Sequence, residues 1–288
     1  MNFLFLILFG TILGNSDSLL VKQGEISGFN EAVSVTSDAK NNIYLLDKGS
    51  NELIKYFENL KEIKRIGRKG WGDGEFDSPT SIDGSSGLDI YVSDGNNQRI
   101  QRFDQNLGYL WSLYTWEENY DEYMKFRRPV SSVLVNSTNL YVIDSDNNRI
   151  VIFRRINNQS VPVQFFGAFG EGTSALGKPV KILKDNRYRI YIQDNNLKSI
   201  MIFDNFGNFI TSLKHNSIIS FSVNNDLTYI LTKDGIYIYD ADKSAYTDKI
   251  AVPEDVNINE LRDILIVNKY NFYFLETTTL HHFILKKQ

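Results

Sequence analysis

The chain has 288 residues, of which 42 % are apolar and 13 % aromatic, including 16 Tyr and 19 Phe. That composition can bury a large core and is rich in strand formers, which excludes a disordered body. A formal charge of −4 and the absence of cysteine exclude a globally basic nucleic-acid-binding protein, disulfide staples, thiolate metal sites and a lipid-modified cysteine anchor.

The N-terminus, MNFLFLILFGTILGNSDS, carries an apolar run from Phe3 to Leu13 broken only at Gly10 and Thr11. The run is shorter than the roughly 20 residues of a membrane-spanning helix and has the pattern of a secretory signal, although no Lys or Arg precedes it. Residues 1–17 are therefore expected to be a signal peptide or short apolar leader. Residues 18–288 are expected to form one domain, periplasmic or secreted, with no membrane span beyond the leader. Asn136 (NST) and Asn158 (NQS) fit the glycosylation triplet, a pattern common by chance.

The next segments repeat. IYLLDKGSNELIKYF (43–57), IYVSDGNNQRIQRF (90–103), LYVIDSDNNRIVIF (140–153) and IYIQDNNLKSIMIF (190–203) each read as a strand ending in Asp, a polar turn and a second strand. Two weaker copies follow, YILTKDGIYIY (229–239) and FYFLETTTLHHFIL (272–285), the latter with Glu276 in the place of Asp. Between copies lie glycine-rich connectors, GRKGWGDGEFDSPTSI (67–82) and GAFGEGTSALGKPVKI (167–182), each ending in Pro before a new apolar strand; Pro129 takes the same place. Proline at a strand's first residue loses no ladder hydrogen bond, and glycine supplies turns.

An inner strand after Pro, the two hairpin strands and an outer strand such as GYLWSLY make four strands per unit. Six such units predict an all-β, six-bladed β-propeller with four-stranded antiparallel blades. The sixth unit supplies only three strands, LRDILIV, NFYFLE and LHHFIL, so Ser18–Ile26 is predicted to close the ring as its outer strand.

The pattern aliphatic-Tyr-Val-x-Asp, x-x-Asn-x-Arg-Ile and a Gly-rich connector ending in Pro resembles the NHL-repeat family in its exported, bacterial-type form. The match is close at 90–100 and 140–150, good at 43–57 and 190–203, and poor after about residue 205. The resemblance implies that the connectors and the Asp turns surround one rim of a central channel.

DSDNNR (144–149) has the composition of a calcium loop, but an EF-hand needs about twelve residues with a central Gly and a terminal Glu. Asp47, Asp94, Asp144 and Asp194 are expected instead to brace their own turns by accepting backbone N–H bonds, with Arg99 and Arg149 beside Asp94 and Asp144 across the hairpin. His215, His281 and His282 lack zinc spacing, and the last two point to opposite faces of a strand. The peptide-amidating lyases that this fold resembles need several histidines on separate blades, and the inner strands here carry none. A gluconolactonase-like divalent site would draw on Asp83 and Asn136. No catalytic residue, metal or cofactor is expected.

The connector YTWEENYDEYMKFRRP (114–129) breaks the glycine pattern with aromatics, acids and two arginines. Together with Trp71 it offers Trp116, Tyr120, Tyr123, Arg127 and Arg128 as partner-binding residues, the types most often found as interface hot spots. The same stretch could instead be a short helix packing Trp116, Tyr120 and Tyr123 inward. The expected function is a monomeric, non-enzymatic binding or scaffold propeller for a protein, peptide or glycan partner, with no nucleic acid. The alternative is a metal-dependent hydrolase or lyase in the central channel.

Overall fold

The computed structural model describes residues 18–287 apart from 117–119, 157–158, 169 and 171. The leader expected over 1–17 lies outside the described residues. The repeats fold as six four-stranded antiparallel sheets. In order from inner to outer strand, blade 1 is Ala32–Ser37, Ile43–Asp47, Glu52–Tyr56 and Glu62–Ile66. Blade 2 is Pro79–Asp83, Asp89–Asp94, Arg99–Asp104 and Tyr109–Tyr114, and blade 3 is Pro129–Val135, Asn139–Asp144, Arg149–Ile156 and Gln159–Phe166. Blade 4 is Pro179–Lys184, Ile190–Asp194, Ser199–Phe203 and Phe209–Lys214, and blade 5 is Ile218–Asn224, Leu227–Thr232, Gly235–Asp240 and Ala245–Ile250. Blade 6 is Leu261–Val267, Asn271–Glu276 and Thr279–Lys287, completed by Ser18–Ser27 from the other end of the domain.

Each blade is covered on both faces by its neighbours, so its second strand is buried at successive residues; Ile43–Asp47 and Ile190–Asp194 are buried throughout. The core accordingly lies between blades. Tyr44, Leu46 and Leu53 of blade 1 pack against Ile82, Ile90, Val92 and Phe103 of blade 2. The closing strand runs antiparallel to Thr279–Lys287, from Ser18↔Lys287 to Ser27↔Thr279, with a bulge between Lys22 and Gly24. Leu20 joins the cluster between blades 5 and 6, and Ile26 the one between blades 6 and 1. The two ends of the domain are thus tied together within one blade.

Among its described residues, the connector 114–129 does not form the inward-packing helix expected from its spacing. It makes one 3-10 turn, Glu122–Met124, capped by the Asp121 side chain accepting from Tyr123 N and containing no buried residue. Phe126 is the connector residue that enters the core. Among the described residues no helix is long and apolar enough to cross a membrane.

Candidate functional site

The first residue of an inner strand lies opposite the last residue of the second strand: Pro79↔Asp94, Pro129↔Asp144 and Pro179↔Asp194. Connectors and middle turns therefore share one rim. The repeated carboxylates tie the two together. Asp47 accepts from Asn30 N at 2.9 Å, Asp94 from Asp77 N at 2.8 Å, Asp144 from Arg127 N at 3.2 Å and Asp194 from Gly177 N at 2.7 Å, each donor 17 residues back. Glu276 accepts from Asn257 N at 2.6 Å in the same way. Within their own turns, Asp47 also takes Gly49 N, and Asp194 takes Asn196 N and Leu197 N.

Asp94 and Arg99 are both fully buried, with Nε 2.8 Å from Oδ2. Arg99 sends its other donors to Trp71 O, Tyr114 Oη, Gly72 O and Glu75 O, all within 2.9 Å. Arg149 pairs with Asp144 at 3.2 Å and donates to Glu122 O and Lys125 O. The planar fork of a guanidinium suits several carbonyls at once, so these two arginines fix the course of the connectors that follow blades 1 and 2.

Above these anchors the aromatic residues face outward: Trp71 is 62 %, Trp116 50 % and Tyr123 66 % exposed. Trp71 and Trp116 flank Arg99, the first through its carbonyl and the second through an edge-on contact with Tyr114 at 6.0 Å. Tyr123 stacks on Phe165 at 6.1 Å. A groove of about 460 Å³ adjoins Trp116 and is lined also by Phe126, Arg127, Lys125, Glu122 and Asp146. The hydrogen bond from Lys125, then that from Arg127, holds the Glu122 carboxyl below its ordinary range. Of the six candidate partner residues, Trp116 and Arg127 line this groove. Trp71 and Arg128 stand exposed outside its lining. Tyr120 is half-buried and donates to Ser160 O at 3.2 Å.

The inner strands use their polar residues differently. Ser34, Ser81, Ser131, Lys181, Ser220 and Asp263 each follow the first residue of their strand by two, after a register shift that recurs in every blade. Every seam between inner strands carries a side-chain hydrogen bond. Ser34 Oγ accepts from Ile82 N, Asp83 Oδ2 from Leu134 N, Ser131 Oγ from Ile182 N, Ser222 Oγ from Ile266 N and Asp263 Oδ2 from Val35 N, all at 3.0–3.3 Å. Lys181 Nζ supplies the remaining seam through Phe221 O at 2.7 Å, and continues to Ser220 Oγ and Asp263 Oδ1. The cavity inside this ring is about 320 Å³.

Asp83 commits its second oxygen to Ser85 N. Asn136 sits in a left-handed hairpin position (φ 52°) and does not line the cavity. Among the described residues no group of three or more His, Cys, Asp or Glu is placed to hold a metal. These seam bonds escape sequence reading because nothing marks a Ser or Asp as pointing to the next blade. The one available signal is a polar residue two after Pro in 79–81, 129–131 and 179–181. His281 lies between Glu25 (3.0 Å) and Glu276 (3.1 Å), while His282 faces the other way.

No family model matches the chain. Over 151 residues, 51 % of this chain and 13 % of the relative, it is 26 % identical to Protein brain tumor of Drosophila melanogaster. Among solved structures it is similar to virginiamycin B lyase of Staphylococcus aureus bound to quinupristin, with a TM-score of 0.62, 11 % identity, and 93 % of this chain and 100 % of that one covered. It is also similar to a streptogramin B lyase (TM-score 0.59, 14 % identity, 88 % and 79 % covered). A protein of unknown function from Bacteroides thetaiotaomicron superposes with a TM-score of 0.64 at 12 % identity, covering 93 % and 76 %. At such identities the likeness is one of fold, and the chemistry of a site must be read from the residues that line it.

Proposed function

We propose that this chain is an NHL-like binding module, exported from the cell that makes it, that holds a protein or peptide partner on its connector rim. The observation that carries the reading is the trio of exposed aromatic rings, Trp71, Trp116 and Tyr123, on a backbone fixed by buried Arg99 and Arg149, with Arg127 lining the same groove as Trp116. Anchoring an exposed aromatic on a rigid scaffold reduces the entropy lost on binding. The channel reading as a hydrolase or lyase draws less support, because Asp83 commits both carboxylate oxygens to backbone N–H groups and Asp263 divides its own between Val35 N and the Lys181 ammonium.

Panning a library of displayed peptides on the folded protein tests this reading. Selected peptides are expected to lose at least about tenfold in affinity against Trp116→Ala and against Arg127→Ala, as hot-spot truncations do, with Tm unchanged. Peptides that bind both variants as tightly as the parent would refute it.

A further inference from the structure

At the face opposite the connector rim, long side chains close the seam between blades 1 and 2. Tyr44 Oη and Lys55 Nζ donate to Gln105 O at 2.9 and 2.7 Å, and Lys64 Nζ donates to Asn106 O at 2.7 Å. Tyr44, Lys55 and Lys64 form one cross-strand row. The corresponding row of blade 6 is Tyr273, His282 and Gly24. Tyr273 still reaches the next blade, at Glu58 O (3.1 Å). His282 does not: it stacks on Tyr273 and places Nε2 2.7 Å from Asn271 Oδ1 on its own blade. Gly24 has no side chain to send. The seam between blades 6 and 1 is therefore open, as a groove of about 730 Å³.

The lining has a definite chemistry. Four primary amides, Gln23, Asn42, Asn59 and Asn271, surround it, the single cation Lys40 is balanced by Glu58, and the Phe57 ring is 49 % exposed at its edge. Gln23 commits its Nε2 to Val21 O and Lys22 O, Asn42 its Nδ2 to Asp38, and Asn59 its Oδ1 to Lys61 N, which leaves the amide oxygens of Gln23 and Asn42 as acceptors and the Asn59 amide nitrogen as a donor. Asn271 Nδ2 donates to Asn268 Oδ1, so its Oδ1 faces the imidazole and Nε2 of His282 carries the proton. A neutral wall that both donates and accepts suits a ligand whose groups do the same, and an aromatic face suits C–H groups of partial positive charge.

We propose that the seam between blades 6 and 1 binds a neutral oligosaccharide, with the C–H face of one sugar ring on Phe57 and its hydroxyls on the amides of Gln23, Asn42 and Asn59. The groove volume falls in the range of about 300–1,000 Å³ found for small-ligand sites. The site is separate from the connector rim, so either reading can fail without the other.

The test uses calorimetric titration of three tetrasaccharides, of β-linked glucose, β-linked N-acetylglucosamine and α-linked mannose, into the parent protein and two variants. A Cβ on Gly24 meets nothing within 4 Å, so a side chain can start there unhindered and Gly24→Trp is chosen to fill the groove that Gly24 lines. At least one sugar should bind the parent with a Kd below about 1 mM and lose about tenfold or more in both Gly24→Trp and Phe57→Ala, with Tm unchanged and with Trp116→Ala binding normally. Should Gly24→Trp fold poorly, His282→Lys, which restores the residue type that closes the first seam, serves in its place with the same expected loss. No binding by any of the three sugars, binding that survives the groove-filling variant, or loss in Trp116→Ala alone would overturn the proposal.

Discussion

His282 shows how much one side chain's burial decides. Its ring is stacked on Tyr273 at 4.4 Å, and burial holds its pKa down at about 4. An unfolded histidine titrates near 6.5, so between about pH 6.5 and 4 the unfolded chain takes up a proton that the folded one refuses. The stabilisation from keeping His282 neutral is fully present above about pH 6.5 and disappears as pH falls toward 4, on the order of 3 kcal/mol in all. Urea unfolding at pH 7 and pH 4.5 should show a markedly smaller acid loss in His282→Gln than in the parent. Equal losses in the two proteins would mean that another group controls the acid limb. Asp47 works in the same direction: burial pushes its carboxyl up, but the N–H groups of Asn30, Glu31 and Gly49 outweigh that and leave it lowered, so its contribution too is lost on acidification.

Among elements, the closing strand Ser18–Ser27 has the most at stake. It is the only outer strand that does not follow its blade in the chain, and the strand Thr279–Lys287 depends on it for its second hydrogen-bonded edge. Deleting residues 18–27 should replace the cooperative thermal transition by a broad, aggregation-prone one, since an open edge and the uncovered Leu285 face would remain. The peptide SLLVKQGEIS added in trans should sharpen the transition again; a truncated chain that melts as the parent does would show that closure is dispensable. This strand was legible in the sequence because the last repeat lacks an outer strand and a spare alternating segment stands at the other end. The Asp turns were legible because an acidic residue recurs at one point of each copy. The bond from each Asp to a donor 17 residues earlier was not, since connector course depends on Arg99 and Arg149 reaching carbonyls that any sequence would supply. The groove at the last seam was less legible still. It rests on Gly24 and His282 standing where Lys64 and Lys55 stand in blade 1, and that equivalence needs the cross-strand register, bulge included.

For the whole molecule, six blades become one cooperative unit only if every seam holds, and hydrogen bonds across the inner strands supply directional links that apolar packing alone does not. Lys181 carries the greatest share of this. From blade 4 its ammonium reaches Ser220 and Phe221 O of blade 5 and Asp263 of blade 6, whose other oxygen accepts from Val35 N of blade 1. One cation thus connects four of the six blades around the channel. Removing it leaves Asp263, itself buried, with its charge uncompensated in a site of low polarisability. Lys181→Met should therefore cost about 3–5 kcal/mol in urea unfolding, the range for breaking one partner of a buried pair. Adding Asp263→Asn removes the stranded charge while keeping an oxygen for Val35 N, so the double variant should recover at least about half of that loss, a coupling that a double-mutant cycle reads directly. A loss under about 1 kcal/mol for Lys181→Met, or strictly additive effects, would mean that the seams hold by apolar packing and that the polar ring only occupies the channel wall.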